Sequence, residues 1–313
     1  MLNLILMDNL SKQLNNINSI VDLIGDTPLI KLNGFNGLSS DKQIFIKAEW
    51  FNPGGSIKDR AALSMIKDGI NKKKLNSKKI IMDSSSGNTA IAYAMIGSAL
   101  GFKVELVTPE NINIERKKTL QAYGAKIIYS SPFEGSDGAI LEARKMASKF
   151  PDKYFMPDQY NNVANPLAHY STTGPEIWDQ VDGKITHFIS GIGTSGTAMG
   201  TSKFLKEKNP NIKTIGVQPD NSLHGLEGLK HIPSSIVPGI YKESNLDEIF
   251  WANTEESYDV MEKLVKYEGM FVGHSGGAVV LAALEEIKKI EQAIVVCVIP
   301  DGGYRYLSGG VWW

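Results

Sequence analysis

The sequence predicts an α/β protein of two domains, in which mainly parallel sheets are covered by helices on both faces. Segments of strand character and segments of helical periodicity alternate along the 313 residues, and this alternation is typical of parallel sheets with helical connections. An irregular stretch rich in proline and asparagine, roughly residues 151–175, divides the alternation into two series. With 42% hydrophobic residues, a chain of this length can fill two cores. We therefore expect a cleft between two α/β domains.

The individual elements are predicted from the spacing of hydrophobic residues along the sequence. Short β-branched runs predict strands, and apolar residues at helical spacing predict helices. The predicted strands of the first series are KQIFIKAEW (42–50), KKIIMD (78–83), KVELVTP (103–109) and KIIYS (126–130). Its predicted helices are AIAYAMIGSAL (90–100), NIERKKTLQAYGA (113–125), GAILEARKMASKF (138–150) and a helix following NPGGSIKDR (52–60). The second series has the predicted strands THFIS (186–190), TIGVQP (214–219) and IVVCVIP (294–300) and the predicted helix AMGTSKFLKEK (198–208).

The segment NPGGSIKDR places a lysine where a helix disfavours one. Ser56 is predicted to be the N-cap of the following helix, with Asp59 completing a capping box. Lys58 then lies in the first turn, where the helix dipole and the unpaired N–H groups repel a positive charge. We expect this setting to lower the pKa of Lys58.

Composition narrows the class of protein. The net charge of −1 argues against nucleic acid or an anionic membrane surface as the main partner, because neither would meet a basic face. The one cysteine, Cys297, cannot form an internal disulfide and fits a reducing compartment. The opening MLNLILMD is too short for a signal peptide, and no apolar stretch is long enough to span a bilayer. A cytoplasmic enzyme or binding protein is expected.

The loop GIGTSG (191–196) follows a predicted strand and opens a predicted helix. It satisfies the GxGxxG dinucleotide pattern, in which a pyrophosphate lies on a helix N-terminus. A dinucleotide site also needs an acidic residue at the end of the next strand, and here that strand ends in Gln218, with Asp220 beyond Pro219. The narrower prediction is a phosphate-binding loop, and a purely structural glycine turn is the alternative.

The segment GHSGG (273–277) has the GxSxG form of a hydrolase nucleophile elbow. Such a hydrolase needs its histidine after the serine. The histidines are His169, His187, His224, His231 and His274, and none follows Ser275. A serine hydrolase is therefore disfavoured, and Ser275 is otherwise read as a helix N-cap.

The third segment, SSSGNT (84–89), joins a predicted strand to a predicted helix. Small hydroxyl residues at a helix N-terminus suit a carboxylate, and a simple capping loop is the alternative. A phosphate loop, a carboxylate loop and a lysine of lowered pKa, which forms Schiff bases readily, together indicate pyridoxal phosphate acting on an amino acid.

These three segments resemble the cofactor lysine, substrate loop and phosphate loop of the cysteine synthase and cystathionine β-synthase family. The members are fold-type II pyridoxal phosphate enzymes, with two three-layer α/β domains and the cofactor in the cleft between them. The resemblance runs from IGDTPLIKL (24–32) to DGGYRYLSGGVW (301–312). Within the family, AHYSTTGPEIW (168–178) and VPGIY (237–241) are most similar to the O-acetylserine sulfhydrylase B, or cysteine synthase B, branch.

The resemblance implies a role for each matching residue. Lys58 would hold the cofactor and move the Cα proton, Asn88 would bind the 3′ oxygen, and Ser275 would lie at the pyridine nitrogen. The residues expected to bind the substrate carboxylate are Ser85, Ser86, Gly87, Thr89 and Gln159. The residues expected to cradle the phosphate are Gly193, Thr194, Ser195, Gly196 and Thr197. No metal is expected.

The implied reaction is β-replacement, in which O-acetylserine or a similar activated serine gives an aminoacrylate and sulfide or a thiol adds to it, forming L-cysteine. A neutral serine at the pyridine nitrogen makes the ring a weaker electron sink than an aspartate would, and this favours prompt loss of the β-substituent.

The resemblance also implies a homodimer. Its larger, phosphate-binding domain would comprise residues 1–50 and 161–313, and its smaller, mobile domain residues 51–160. The first alternative is a related β-replacement or elimination on serine or cysteine, either like cystathionine β-synthase or releasing H₂S. The second is a nucleotide-dependent oxidoreductase, and the third is a non-catalytic binding protein.

Several positions depart from the family pattern. Ser195 stands where many relatives have glycine, Ala90 replaces the usual glycine after GNT, and His274 precedes the cofactor serine. In GLKHIP (228–233), Lys230 matches an arginine that would suit an anionic sulfur donor such as thiosulfate. Because lysine is only a point charge, we expect sulfide to be used well and thiosulfate weakly. The alternative is that Lys230 is a solvated loop residue.

Overall fold

The computed structural model describes residues 17–35 and 37–309; the opening segment MLNLILMD and the last four residues lie outside them. The strands, numbered in chain order, are β1 (Leu29–Lys31), β2 (Lys42–Ala48), β3 (Ile80–Ser84), β4 (Val104–Pro109), β5 (Lys126–Ser130), β6 (Tyr154–Phe155), β7 (His187–Gly191), β8 (Lys213–Pro219), β9 (Glu248–Ala252) and β10 (Ala293–Ile299). The α-helices are α1 (Lys58–Asn71), α2 (Asn88–Leu100), α3 (Ile114–Ala122), α4 (Gly135–Lys149), α5 (Ala164–Ala168), α6 (Gly174–Gln180), α7 (Gly196–Lys208), α8 (Thr254–Glu268) and α9 (His274–Ile287).

The strands form two separate sheets. The larger sheet has the order β1-β2-β10-β7-β8-β9, and the smaller has the order β5-β4-β3-β6. All neighbours are parallel except β1 and β2, which are antiparallel. The larger sheet uses strands from both ends of the chain, while the smaller sheet uses residues 80–155 alone.

Helices cover both faces of each sheet. Along β10, Val295 and Cys297 pack into a core with α8 and α9, whereas Val296 and Val298 pack into a second core with α6 and α7. Successive strand residues point to opposite faces, so the larger sheet is the middle of three layers. In the smaller sheet, Ile81 packs with α1 and α2 on one face, and residues including Met82 pack with α4 on the other. The predicted fold class is confirmed.

Each of the seven predicted strands is present, with ends displaced by at most two residues. Strands β1, β6 and β9 and helix α8 were not predicted from the sequence. The prediction of an irregular stretch at 151–175 is wrong, because this stretch contains β6, α5, a π-helical turn over His169–Thr173 and the start of α6. Among the described residues, no helix is long and apolar enough to cross a membrane.

The predicted capping box at Ser56 is wrong. Helix α1 begins at Lys58, its N-cap is Ile57, and no side chain caps it. Ser56 Oγ accepts a weak hydrogen bond from the Lys58 amide at 3.3 Å. Asp59 instead accepts from the Gly54 amide at 2.6 Å, and burial raises the pKa of its carboxyl to about 7. Asp59 thus holds the glycine turn before the helix.

Candidate active site

The three motifs meet at one cavity of about 240 Å³ between the two sheets. The carboxyl ends of parallel strands lie at one edge of a sheet, where ligands bind in open α/β folds. Here the chain leaves β3 into the substrate loop, leaves β7 into the phosphate loop, and leaves β10 at Pro300 and Asp301. The strand order therefore brings together segments that lie far apart in sequence.

Most of the residues singled out from the sequence line this cavity. They are Lys58, Ser85, Gly87, Asn88, Thr89, Gln159, Gly193, Thr194, Thr197, Lys230 and Ser275. Ser86, Ser195 and Gly196 belong to the same two loops but are not part of the wall.

Lys58 is the first residue of α1 and lines the cavity. Among residues 17–35 and 37–309, its ammonium has no hydrogen-bond acceptor and no carboxylate within ion-pair distance. Burial lowers the pKa of Lys58, and Asp301 and then Glu49 oppose the effect. The lowered pKa expected for Lys58 is confirmed in direction. Its main cause is burial of the amine and not the helix terminus. An amine without a partner, facing a cavity, suits a bond to a carbonyl carbon.

The phosphate loop begins α7, whose N-cap is Ser195 in the left-handed region at φ 73°. A side chain on Gly193 would come within 2.4 Å of the Gly228 carbonyl oxygen, so the loop requires glycine there. Thr194 Oγ1 accepts from Asn165 Nδ2 at 3.0 Å, which fixes this side of the loop. Backbone amides at a helix start and two threonine hydroxyls make a site that fits a phosphate.

His169 supports the same loop from behind. Its Nε2 lies 3.3 Å from Thr197 Oγ1 and its Nδ1 lies 3.0 Å from Thr173 Oγ1. Burial first, then the charges of Arg60 and Lys58, hold the pKa of His169 well below its usual value. A neutral imidazole donates through one nitrogen and accepts through the other, so it can orient both threonines.

The substrate loop is bound to Gln159 rather than standing alone. Thr89 Oγ1 donates to Gln159 Oε1 at 2.8 Å, and Gln159 Nε2 donates to the Ser84 carbonyl at 3.2 Å. Gln159 is buried, and its backbone amide lies 3.4 Å from the Asp83 carboxylate. Two of the residues predicted to bind a carboxylate, Thr89 and Gln159, are therefore bonded to each other at the N-terminus of α2.

Ser275 is the second residue of α9, whose N-cap is Gly273, so the N-cap interpretation of Ser275 is wrong. Its hydroxyl faces the cavity, and no described histidine bonds to it. His274 is buried, contacts the rings of Tyr258 and Tyr306, and has no hydrogen-bond partner for either nitrogen in the described part of the chain. Ser275 therefore has no histidine base among the described residues.

Lys230 is not a solvated loop residue. Its side chain is 12% exposed, and Nζ lies 3.2 Å from Asp137 Oδ1 on α4. The same ammonium lies 5.4 Å from the centre of the Tyr160 ring. The ammonium of Lys230 is therefore paired with a carboxylate from the other side of the cavity.

Several residues of the site were missed from the sequence. Asp301 and Glu227 line the cavity, and Asn165 and His169 support the phosphate loop. Asp301 is the second residue after β10, so its position at the carboxyl end of a parallel strand is a usable signal. Asn165 lies in the stretch that was read as irregular, and nothing in its local sequence identifies it.

Two other chemistries find no support in this geometry. The described residues contain no group of three His, Cys, Asp or Glu side chains that could hold a metal ion. A dinucleotide site would need an acidic group at the end of β8, but Gln218 there is buried and accepts from the Ile232 amide at 2.9 Å. Asp220, directly after β8, accepts from Asn253 Nδ2 at 3.0 Å and is not part of the cavity wall. The cavity instead has the parts that pyridoxal phosphate requires: an amine without a partner, a phosphate loop and a hydroxyl.

Comparisons with known proteins agree with this geometry. Residues 20–301 match the family described as "Pyridoxal-phosphate dependent enzyme". The chain is 49% identical to the cysteine synthase of Aquifex aeolicus, over 93% of this chain and 90% of that protein. It is 39% identical to cysteine synthase B of Escherichia coli, over 94% and 96%. The crystal structure of cysteine synthase from Entamoeba histolytica superimposes with a TM-score of 0.90 at 35% identity, covering 95% of this chain and 90% of that one. With a family match over most of its length, this chain belongs to the pyridoxal-phosphate-dependent enzymes.

Proposed function

We propose that this protein makes L-cysteine by β-replacement, in which an activated serine such as O-acetylserine loses its β-substituent and sulfide takes its place. The observation that carries the proposal is the partnerless Lys58 amine, which shares one cavity wall with a carboxylate loop and a phosphate loop. The curated relatives named cysteine synthase support the choice of reaction.

Pyridoxal phosphate, when bound, supplies an aldehyde that takes up amines and a ring that withdraws electrons from them. Loop residues 193–197 would hold its phosphate, chiefly through backbone N–H groups at the start of α7. Asn88 would donate to the 3′ oxygen, and Ser275 would face the pyridine nitrogen. Lys58 would hold the aldehyde carbon.

Lys58 has a second task once the amino acid has displaced it. Because burial lowers its pKa, a larger fraction of the amine is neutral near pH 7 than in a solvated lysine. A neutral amine can take the Cα proton, and the resulting ammonium can return it to the product. The lysine therefore acts as base and acid at the same carbon.

The substrate carboxylate would bind at the start of α2. Ser85, Ser86, Gly87 and Thr89 surround the first amides of this helix, and Gln159 is already bonded to Thr89. The helix dipole and these donors favour an anion. Holding the carboxylate here would present Cα to Lys58.

The hydroxyl of Ser275 is neutral, and this sets the course of the reaction. A carboxylate at this position would stabilise a protonated pyridine and make the bound ring a stronger electron acceptor. A serine would stabilise that charge less, so the ring would accept electrons less strongly. The residue would therefore favour prompt loss of the β-substituent, as β-replacement requires.

We further propose sulfide as the preferred donor. Lys230 lines the cavity, but its charge is paired with Asp137, so it offers little free attraction for a larger anion. Sulfide needs no such anchor because it is a single small atom.

The assembly and location remain part of the proposal. Residues 51–160 would form a smaller domain that moves against residues 1–50 and 161–313, and two copies would form a homodimer.

We propose a cytoplasmic location, which the single cysteine supports. Cys297 is buried, and its burial raises the pKa of its thiol, so it is poorly placed to form a disulfide.

The test is a direct assay on the purified, cofactor-loaded protein. O-acetylserine, O-phosphoserine, serine and cysteine are each mixed with sulfide, and the amino acid and thiol products are quantified. We expect L-cysteine to form fastest from O-acetylserine. Failure to form cysteine from any of the activated serines would refute the proposed function.

A further inference from the structure

We propose that Asp301 is a positioning residue of this site, whose carboxylate fixes the orientation of the Asn88 amide and acts as the counter-charge of the Lys58 ammonium. The inference deepens the proposed function and rests on it. Asp301 lines the cavity and is 1% exposed.

Backbone contacts place Asp301 between the two segments that would hold the cofactor. The carbonyl of Pro300, directly before it, accepts from the amide of Ile57, directly before Lys58, at 2.8 Å. The carbonyl of Asp301 itself accepts from the Gly273 amide at 3.1 Å. Gly273 is the N-cap of α9, two residues before Ser275. The backbone that carries the carboxylate is thus bonded to both the lysine segment and the serine segment.

The side chain of Asp301 determines which end of the Asn88 amide faces it. Asn88 Nδ2 donates to Asp301 Oδ2 at 2.5 Å. A carboxylate can only accept hydrogen bonds, so the NH₂ group must face Asp301. The second N–H of Asn88 is then left for an acceptor in the cavity, which is the role proposed for it toward the 3′ oxygen.

The position of the carboxylate is itself tightly determined. Tyr306 Oη also donates to Asp301 Oδ2. A side chain on Gly273 would come within 2.1 Å of Asp301 Oδ1, so glycine there leaves room for the carboxylate. Oδ1 is buried and has no hydrogen-bond partner among the described residues.

The charge of Asp301 is less compensated than that of the other carboxylate that acts on Lys58. Glu49 forms a buried ion pair with Arg60 at 2.8 Å. Among the described residues, the side chain of Asp301 accepts only from the neutral donors Asn88 and Tyr306. Of the two, Asp301 has the larger effect in raising the pKa of Lys58.

Among the described residues, no cation forms an ion pair with Asp301, and the guanidinium of Arg305, four residues further on, donates to the Gly54 carbonyl. His274 packs against Tyr306, and burial lowers the pKa of its imidazole. Arg116 lies 5.5 Å from the centre of the Tyr306 ring, but it pairs with Glu227 at 2.6 Å. Asp301 therefore shares the cavity wall with Lys58 and is ion-paired with no described cation.

The test compares Asp301→Asn with Tyr306→Phe and with Asp247→Asn. The first removes the charge with little change of shape, and the second removes a donor to the same oxygen but keeps the charge. Asp247, whose carboxylate pairs with Lys206 at 2.7 Å, is not part of the cavity wall and provides a matched carboxyl-to-amide control. Asp301→Ser replaces Asp301→Asn if the latter does not fold.

The first readout is the pH dependence of kcat, whose acid limb reports Lys58 in the substrate complex. Loss of the carboxylate lowers the pKa of Lys58 further, so the neutral amine persists to lower pH. We expect the acid limb of Asp301→Asn to move down by about one pH unit, and the limbs of Tyr306→Phe and Asp247→Asn to stay in place. An unmoved limb in Asp301→Asn, or an equal movement in Tyr306→Phe, would overturn the counter-charge role.

The second readout is the dissociation constant of pyridoxal phosphate, measured by titrating the apoprotein. Asn88→Ala is made in the wild type and in Asp301→Asn. If Asp301 orients Asn88, the two losses of affinity overlap and the double variant loses less than their product. Independent losses would overturn the orienting role. A wild type that makes no cysteine would refute the proposed function, whereas an active wild type with unchanged variants would refute only the role of Asp301.

Discussion

Lys230 Nζ lies 3.2 Å from Asp137 Oδ1, and this contact joins the loop after β8 to helix α4 across the cavity. Asp137 Oδ2 also accepts from the Ile236 amide at 3.2 Å. The Asp137 carboxylate therefore bonds to two residues of the segment after β8, Lys230 and Ile236. Because its ammonium is already paired, Lys230 offers little attraction to an anionic substrate.

This pairing predicts the choice of sulfur donor. The wild type should use sulfide well and thiosulfate weakly. Lys230→Arg should improve thiosulfate use, because a guanidinium pairs two oxygens at once, and Asp137→Asn should improve it by freeing the ammonium. The measurement is the rate of O-acetylserine consumption with each donor. Glu142→Gln, at a partly exposed position of α4 whose side chain pairs with Lys145, is the control. Equal rates with both donors in the wild type, or no gain in Lys230→Arg, would show this account of the donor to be wrong.

Lys58→Ala should abolish turnover while the protein still binds the cofactor. Loss of the group that takes the Cα proton typically costs about 10³-fold or more in rate, whereas the phosphate loop is untouched by the change. Cofactor binding is measured by equilibrium titration and turnover by cysteine formation. Near wild-type turnover without an added amine would remove Lys58 from the mechanism.

Ser275→Ala and Ser275→Asp should behave differently. The alanine removes one hydrogen bond, about 1 kcal/mol and roughly fivefold in rate, whereas the aspartate favours a protonated pyridine and changes the course of the reaction. Steady-state cysteine formation by the two variants distinguishes them. An equal collapse of both would instead indicate that Ser275 is a nucleophile.

Glu176→Gln should destabilise the fold without touching the cavity. Glu176 pairs with Arg60 at 2.5 Å and with Lys47 at 2.7 Å. Removing one partner of a buried ion pair costs about 3–5 kcal/mol in the free energy of unfolding. Chemical denaturation of the two proteins at neutral pH measures the difference, and a loss no larger than that of Glu142→Gln would contradict this role.

The same residue predicts an acid dependence of stability. Hydrogen bonds and charges from Arg60 and Lys47 outweigh burial and lower the pKa of Glu176 from 4.5 to about 2. Between these pH values the unfolded chain binds the proton more readily, so the stabilisation is complete above pH 4.5 and is lost as the pH falls toward 2. As the pH falls across this range, the free energy of unfolding should decrease more steeply for the wild type than for Glu176→Gln. Equal pH dependence in the two proteins would contradict the lowered pKa of Glu176.

The strands and the three motifs could be predicted because their signals are local. A β-branched run between turn residues predicts β4 or β10, and a glycine loop between strand and helix predicts a phosphate site. Helix α8 also carries local signals, since Val260, Met261 and Leu264 are buried at helical spacing and Asn253 caps it.

Other features depend on contacts between distant segments. The partners of Asp301 include Asn88, 213 residues away, and Asp137 lies 93 residues from Lys230. No period or spacing encodes such pairs, because strand order decides them. Strand β9 was missed for a different reason: it is an edge strand with only one fully buried residue, Ala252, so it lacks a strong apolar signal.

The most direct test of the central claim is to identify the lysine that holds the cofactor in the loaded enzyme. The holoenzyme is reduced with borohydride, digested, and mapped by mass spectrometry. We expect the cofactor mass on the peptide that contains Lys58, and its loss when O-acetylserine is added before reduction. Attachment at another lysine, or no attachment at all in an enzyme that makes cysteine, would contradict the account.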